Sequence, residues 1–120
     1  MNERVYWVEH KGTRILVGDY SRLSGQDYVV AIQAFEDELA GQTPGSVCTI
    51  SVVTDSTVTT EVKDKFKEMS ERTQGISKAA STVGLSGFKK ALAVLIRKDL
   101  YWADSLEDAK DWLVEQAAAG

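Results

Sequence analysis

The chain has 120 residues and a net charge of −4 at neutral pH, with 43% hydrophobic and 27% charged residues. A chain of this size and composition can bury a hydrophobic core without disulfides or metals, so we expect a single domain over residues 1–120. The long-range field of an acidic domain opposes its approach to nucleic acid and to anionic membranes. We therefore expect neither as a partner.

The cysteine content and the N-terminal residues bear on the compartment. Cys48 is the only cysteine, so no intrachain disulfide can form. Its apolar neighbours predict a buried and unreactive thiol. The first residues lead into no sustained apolar segment, which predicts neither a signal peptide nor insertion into a membrane. These features together predict a cytoplasmic protein.

The spacing of apolar residues switches repeatedly between a strand period and a helix period, and this switching predicts the first elements. Residues 4–9 and 14–19 are expected to be strands that the turn at 11–13 joins as an antiparallel hairpin. A helix follows, with Ser24 as its cap. Its apolar stripe consists of Tyr28, Ile32, Phe35 and Leu39.

The second half of the chain continues the alternation. The β-branched run at 46–54 predicts a central strand covered on both faces, and a second helix is expected over 59–72. Residues 78–85 and 100–103 predict two more strands, each followed by an amphipathic helix. The order β-β-α-β-α-β-α-β-α predicts an α/β fold with a mostly parallel sheet and an antiparallel N-terminal hairpin.

Four segments, 19–25, 44–47, 83–90 and 104–113, occur in this order along the chain. Together with the element order they resemble the STAS fold of anti-sigma-factor antagonists and sulfate-transporter tails. The resemblance is closer to the STAS/SEC14, or SpoIIAA-like, family of small prokaryotic proteins. The resemblance implies a STAS-like domain that regulates through protein–protein contacts, sometimes switched by phosphorylation of a serine between the central strand and the next helix.

The segment at that junction is Asp55-Ser56-Thr57-Val58. It contains the Asp-Ser pair of the switch proteins, but Val58 stands where their pattern has glycine. Hydroxyl groups just before a helix also have a plainer role, because they can accept hydrogen bonds from its free N–H groups. A phosphate on this loop would instead meet the positive end of the helix. Asp55, Ser56 and Thr57 are thus the candidate switch or partner surface.

The turn before the predicted third helix is a second candidate. Its bare backbone donors and nearby lysines could bind a small anion, although close strand–helix packing explains the glycines more simply. The spacing fits neither a nucleophile elbow nor a phosphate loop. The candidate anion-binding residues are Gly84, Ser86, Gly87, Lys89 and Lys90.

The titratable residues give no constellation for catalysis. His10 is the only histidine, and we expect it to be solvent-exposed on the hairpin. With no second imidazole or thiol beside it, the sequence predicts no metal site and no base for triad hydrolysis. Asp19 and Asp55 lie just past strand ends, where open α/β sheets bind ligands. The sequence therefore predicts a non-enzymatic domain without cofactor or metal.

Two pairs of adjacent aromatic residues bear on oligomeric state. The rings of Tyr6-Trp7 and of Tyr101-Trp102 must point to opposite faces of their strands. Either helices cover both faces or one ring is exposed at a subunit interface, so a monomer and a homodimer both remain open.

Two functional hypotheses follow. The first is a regulatory or binding module that contacts an unidentified protein partner at Asp55, Ser56, Thr57 and the Ser86-Gly87 turn. The alternative is a small carrier or sensor of an apolar or anionic ligand. It predicts a cavity, and the expected lining residues are Phe35, Phe66, Leu92 and Trp112.

Overall fold

The computed structural model describes residues 2–84 and 100–119. The strands in these ranges are β1 (Val5–His10), β2 (Thr13–Asp19), β3 (Val47–Val52), β4 (Ser77–Val83) and β5 (Tyr101–Ala103). The helices are α1 (Gly25–Ala40), α2 (Thr60–Arg72) and α3 (Leu106–Ala119). The third helix predicted from the sequence lies outside the described residues, and the other elements occur in the predicted order.

The strands form one sheet in the order β1-β2-β3-β4-β5. β1 and β2 are antiparallel, and every later neighbouring pair is parallel. The hairpin turn has positive φ at both central residues, 50° at Lys11 and 84° at Gly12. This is the type I′ geometry, whose twist matches that of the flanking strands. The predicted α/β fold with an antiparallel N-terminal hairpin is therefore confirmed.

The two faces of the sheet carry separate hydrophobic clusters. In β2, Leu16 joins the cluster under α1 and α2, whereas Ile15 and Val17 join the cluster under α3. This division follows from the strand period, because successive side chains point to opposite faces. Removal of each such side chain from water contributes roughly 2 kcal/mol to the free energy of unfolding. The apolar stripe predicted for α1 is buried throughout, and Cys48 is buried as expected.

The adjacent aromatic residues also divide between the faces. Trp7 packs against the first cluster and Tyr6 against the second. On β5, Tyr101 stacks on Trp112 of α3, with ring centroids 4.6 Å apart and planes within 6°. Its neighbour Trp102, on the same strand, is 41% exposed.

Hydroxyl side chains cap two of the helices. Thr59 accepts a hydrogen bond from the Val62 N–H at the start of α2, and Ser105 accepts one from Asp108 at the start of α3. Ser24 occupies the predicted cap position of α1, but its side chain makes no capping bond. Gly25 begins the helix with a φ of 57°, outside the helical range that aligns a cap with the following N–H groups. None of the helices in residues 2–84 and 100–119 is long and apolar enough to cross a membrane.

His10 joins the hairpin to the closing helix. Its Nε2 atom lies 2.8 Å from Asp111 Oδ1, and Lys11 Nζ lies 3.3 Å from the same oxygen. The His10 side chain is only 21% exposed, so the prediction of a solvent-exposed residue is wrong. The hairpin end lies against α3 instead of projecting into solvent. Hydrogen bonds from His10 and then Lys11 lower the pKa of Asp111 below its usual 3.8.

The substitution Asp111→Asn tests this contact through its pH dependence. A carboxylate whose pKa is lowered in the folded state stabilises the fold above its unfolded pKa, and this contribution is lost as the pH falls through the folded pKa. We expect the variant to have a lower urea midpoint than the wild type at about pH 6, and we expect the two midpoints to converge as the pH falls through the lowered pKa of Asp111. Glu115→Gln, at an exposed position of α3, is the matched control. A difference that persists in acid would contradict a charge-based role.

Candidate functional site

A β-turn at the carboxyl end of β3 contains the predicted switch residues. The Ser56 N–H donates to the Val53 C=O at 3.1 Å, and Asp55, the third residue of the turn, has a φ of 56°. Asp tolerates this left-handed conformation better than most residues, because its short side chain can bond locally to the backbone. The exposed side chains here are those of Thr54, Asp55 and Thr57.

Ser56 is the inward-facing member of this segment. It is 4% exposed, its Oγ donates to the Val53 C=O at 2.8 Å, and it lies 3.0 Å from the Tyr28 hydroxyl. Ser56, predicted as part of the switch or partner surface, is therefore not exposed, because its side chain turns back under the strand end to bond that carbonyl. A phosphate on Ser56 would displace both contacts. The capping role expected of Ser56 and Thr57 belongs to Thr59.

A matching turn at the end of β2 holds the first one in place. The Leu23 N–H donates to the Tyr20 C=O at 3.1 Å, and Arg22 has a φ of 60°. The two turns are joined by backbone bonds from Arg22 N–H to Thr54 C=O and from Thr57 N–H to Leu23 C=O, both 3.0 Å long. Main-chain groups make these contacts, so the exposed side chains project from a fixed backbone.

Gly84 brings β4 against the same turn. Its φ is 90°, and a Cβ atom built on it would lie 2.2 Å from Thr54 Oγ1 and 2.7 Å from Thr54 Cα. The Val53 N–H donates to the Val83 C=O at 2.8 Å beside this contact. Gly84 and the Asp55 turn therefore lie at the same edge of the sheet, and the close backbone approach explains the glycine. The other residues of the predicted anion-binding turn lie outside the described residues: Ser86, Gly87, Lys89 and Lys90.

Asp19, the other carboxylate past a strand end, is engaged by its own loop. Its Oδ1 accepts bonds from Ser21 Oγ at 2.6 Å and from the Ser21 N–H at 3.1 Å. Arg4 Nη1 lies 3.0 Å from the Ser21 carbonyl oxygen and 3.9 Å from Asp19 Oδ1. These contacts fasten the start of β1 to the end of β2. Sequence reasoning missed Arg4 and Ser21, although the Asp-x-Ser spacing is a signal of such a turn.

Aromatic rings pack beneath the two turns, on the α1 and α2 side of the sheet. The ring of Tyr20 lies 5.5 Å from that of Tyr28, 5.3 Å from that of Phe66 and 6.3 Å from that of Phe35. Burial raises the pKa of Tyr28 to about 12. Tyr20 is fully buried, and its hydroxyl has no hydrogen-bond partner among the described residues. Burial also raises the pKa of Tyr20 well above its usual value.

The residues expected to line a ligand cavity are divided by the sheet. Phe35 and Phe66 belong to the cluster under α1 and α2, whereas Trp112 packs with the cluster under α3. Leu92 lies outside the described residues. The sheet separates the two clusters, so these side chains cannot line one cavity, and that prediction is wrong. In the described ranges, no group of three or more His, Cys, Asp or Glu residues is placed to hold a metal.

The fold has a counterpart among solved structures. It is similar to the crystal structure of an uncharacterized protein of the DUF3478 family with a SpoIIAA-like fold, from Shewanella loihica PV-4, with a TM-score of 0.69. The match covers 91% of this chain and 91% of that chain at 14% sequence identity. This chain therefore has a SpoIIAA-like fold, which confirms the fold that the sequence resemblance implied. No family model matches the chain, and no curated protein does.

The contact between Gly84 and Thr54 predicts a large effect of Gly84→Ala. We expect a loss of about 2–4 kcal/mol of unfolding free energy, because the new Cβ would be strained at positive φ and would overlap the backbone of the turn. Gly41→Ala is the matched control, since Gly41 has a φ of −81° and its Cβ would lie 4.0 Å from the nearest atom. Urea denaturation measures both, and similar effects of the two would show that the close approach is unimportant.

The two buried tyrosines under the turns predict opposite effects of losing a hydroxyl. We expect Tyr20→Phe to raise the unfolding free energy by about 1 kcal/mol, because it removes a buried polar group that lacks a partner. We expect Tyr28→Phe to lower it by about 1 kcal/mol, because it removes the bond to Ser56. The two variants control for each other in thermal or urea denaturation. A destabilised Tyr20→Phe protein would mean that its hydroxyl has a partner.

Proposed function

We propose that this protein is a non-enzymatic regulatory module that binds a protein partner through a turn surface made of Arg22, Thr54, Asp55 and Thr57. The proposal rests on one observation: these exposed residues project from two turns that main-chain hydrogen bonds lock together. A surface fixed in this way loses little conformational entropy on binding. The lone buried Cys48 supports the cytoplasm as the setting.

The position of His10 supports binding over catalysis. His10 is paired with Asp111 at the end of β1, next to the start of β2, whereas the turn surface lies at the far end of β2. A strand of seven residues separates the two ends by roughly 20 Å. The only imidazole of the chain therefore cannot act as a base for a hydroxyl in the turn surface.

The turn surface also suits regulation by phosphorylation at Thr57. Ser56 is buried and bonded on two sides, whereas Thr57 is exposed two residues before the cap of α2. A phosphate on Thr57 would add roughly two negative charges beside Asp55, near the positive end of that helix. The charge of the turn surface would then change without any disturbance of the buried Ser56–Tyr28 contact.

Asp55→Asn and Thr57→Glu test the proposal. Asn tolerates positive φ, so the first change removes the charge and keeps the turn. We expect each variant to retain the partner at least about fivefold less than the wild type, as for an interface residue worth 1 kcal/mol or more. The measurement is quantitative mass spectrometry of proteins cross-linked to the immobilised variants in extract of the native host.

Asp64→Asn provides the control, because it removes an exposed carboxylate of α2 and changes the net charge by the same amount as Asp55→Asn. Its partner retention should equal that of the wild type. Equal retention by all four proteins, or no protein enriched by the wild type, would overturn the proposal. Peptide mapping of the native protein tests the phosphorylation site: phosphate on Ser56 instead of Thr57 would refute that part alone.

A further inference from the structure

The outer edge of β1 presents backbone groups that β2 does not use. The Asp19 N–H donates to the Arg4 C=O at 2.7 Å, in the register of the β1–β2 pair. Backbone groups alternate in direction along an antiparallel strand, so every second residue after Arg4 bonds towards β2. The residues between them direct their groups outward, and they are Val5, Trp7 and Glu9.

One of these outward groups is already engaged. The Val5 N–H donates to the Asn2 C=O at 3.1 Å, in the turn that precedes the strand. The N–H and C=O groups of Trp7 and Glu9 remain directed outward. In residues 2–84 and 100–119, no strand pairs with this edge of the sheet.

β1 lacks several of the features that protect a sheet edge from pairing, although it carries the charged Glu9. It contains no proline and no lysine, and its pairing with β2 has no register shift. Its first four residues, Val-Tyr-Trp-Val, are β-branched or aromatic types that favour strands. An edge of this kind is a template for another strand.

We propose that β1 pairs antiparallel with β1 of a second copy of this chain, about a twofold axis that continues the sheet. In this pairing Val8 lies opposite Val8 of the partner subunit, and Trp7 lies opposite Glu9 of the partner subunit. The outward N–H and C=O groups of Trp7 and Glu9 in both copies then bond to one another. A register centred on Trp7 would instead require the Val5 N–H, which Asn2 already holds.

Charge complementarity selects a second copy as the occupant. The Arg14 guanidinium carbon lies 4.3 Å from the centre of the Trp7 ring. Opposed residues of paired strands project on the same face, so the carboxylate of Glu9 of the partner subunit would arrive beside this cation. Within its own chain Arg14 lies opposite Glu9 across the β1–β2 pair and donates to Gln42 Oε1 at 3.3 Å. Among the described residues, however, neither Glu9 nor Arg14 forms an ion pair. Each copy supplies both charges, so the interface is self-complementary.

Sedimentation equilibrium over a concentration series tests this pairing. We expect the wild type to dimerise reversibly and Glu9→Lys to weaken the dimer at least about tenfold, because like charges would then meet beside Trp7. Glu3→Lys is the matched control, since it makes the same change in net charge at an exposed position before the strand. Its dimer constant should lie within about twofold of the wild-type value.

Amide hydrogen exchange of the wild type locates the interface without any variant. The Trp7 and Glu9 amides should gain protection as the protein concentration rises, whereas the Tyr6 and Val8 amides, which face β2, should be protected at all concentrations. A monomer up to about 1 mM would overturn the proposal. So would a dimer whose Trp7 and Glu9 amides exchange at a rate independent of concentration. The turn surface lies elsewhere on the molecule, so this outcome and that of the proposed function are independent.

Discussion

Main-chain hydrogen bonds at the carboxyl edge of the sheet hold the ends of β2, β3 and β4 together, and the candidate site depends on them. The Tyr20 N–H bonds to the Val52 C=O, and the Val53 N–H bonds to the Val83 C=O, both at 2.8 Å. Each bond extends the pairing of neighbouring strands by one residue beyond the end of the regular strand. The paired turns come directly after these bonds along the chain, and Gly84 allows the end of β4 to approach the same point.

The aromatic rings of Tyr20, Tyr28, Phe35 and Phe66 pack below the turns, and the burial of the Tyr20 hydroxyl among them has an energetic cost. Tyr20 packs between sheet and helices, and its ring takes the space that a side chain at position 18 would need, so Gly18 is required there. The Tyr20 hydroxyl is buried without a partner among the described residues, whereas the Tyr28 hydroxyl bonds to Ser56. The apolar area that Tyr20 buries offsets the cost of its hydroxyl.

The two ends of β2 have different chemistry. At its start, His10 and Lys11 bind Asp111 and fix the hairpin against α3, an arrangement typical of structural surface contacts. At its end, the exposed Asp55 and Thr57 stand on a fixed backbone with solvent on their outer side. This asymmetry favours the carboxyl end as the location of the proposed recognition surface, because open α/β sheets bind their ligands there.

The sequence by itself determined the order of the described elements and the α/β class, because apolar period and turn residues are local properties. It also placed Asp55 just past a strand end and Gly84 in the turn before a predicted helix, but only tertiary structure decided that Thr54 meets Gly84. Contacts between residues far apart in the chain turned Ser56 inward towards Tyr28 and paired His10 with Asp111, 101 positions away. A side chain's direction at a strand end depends on which distant groups need a donor there, and local sequence carries no record of those groups.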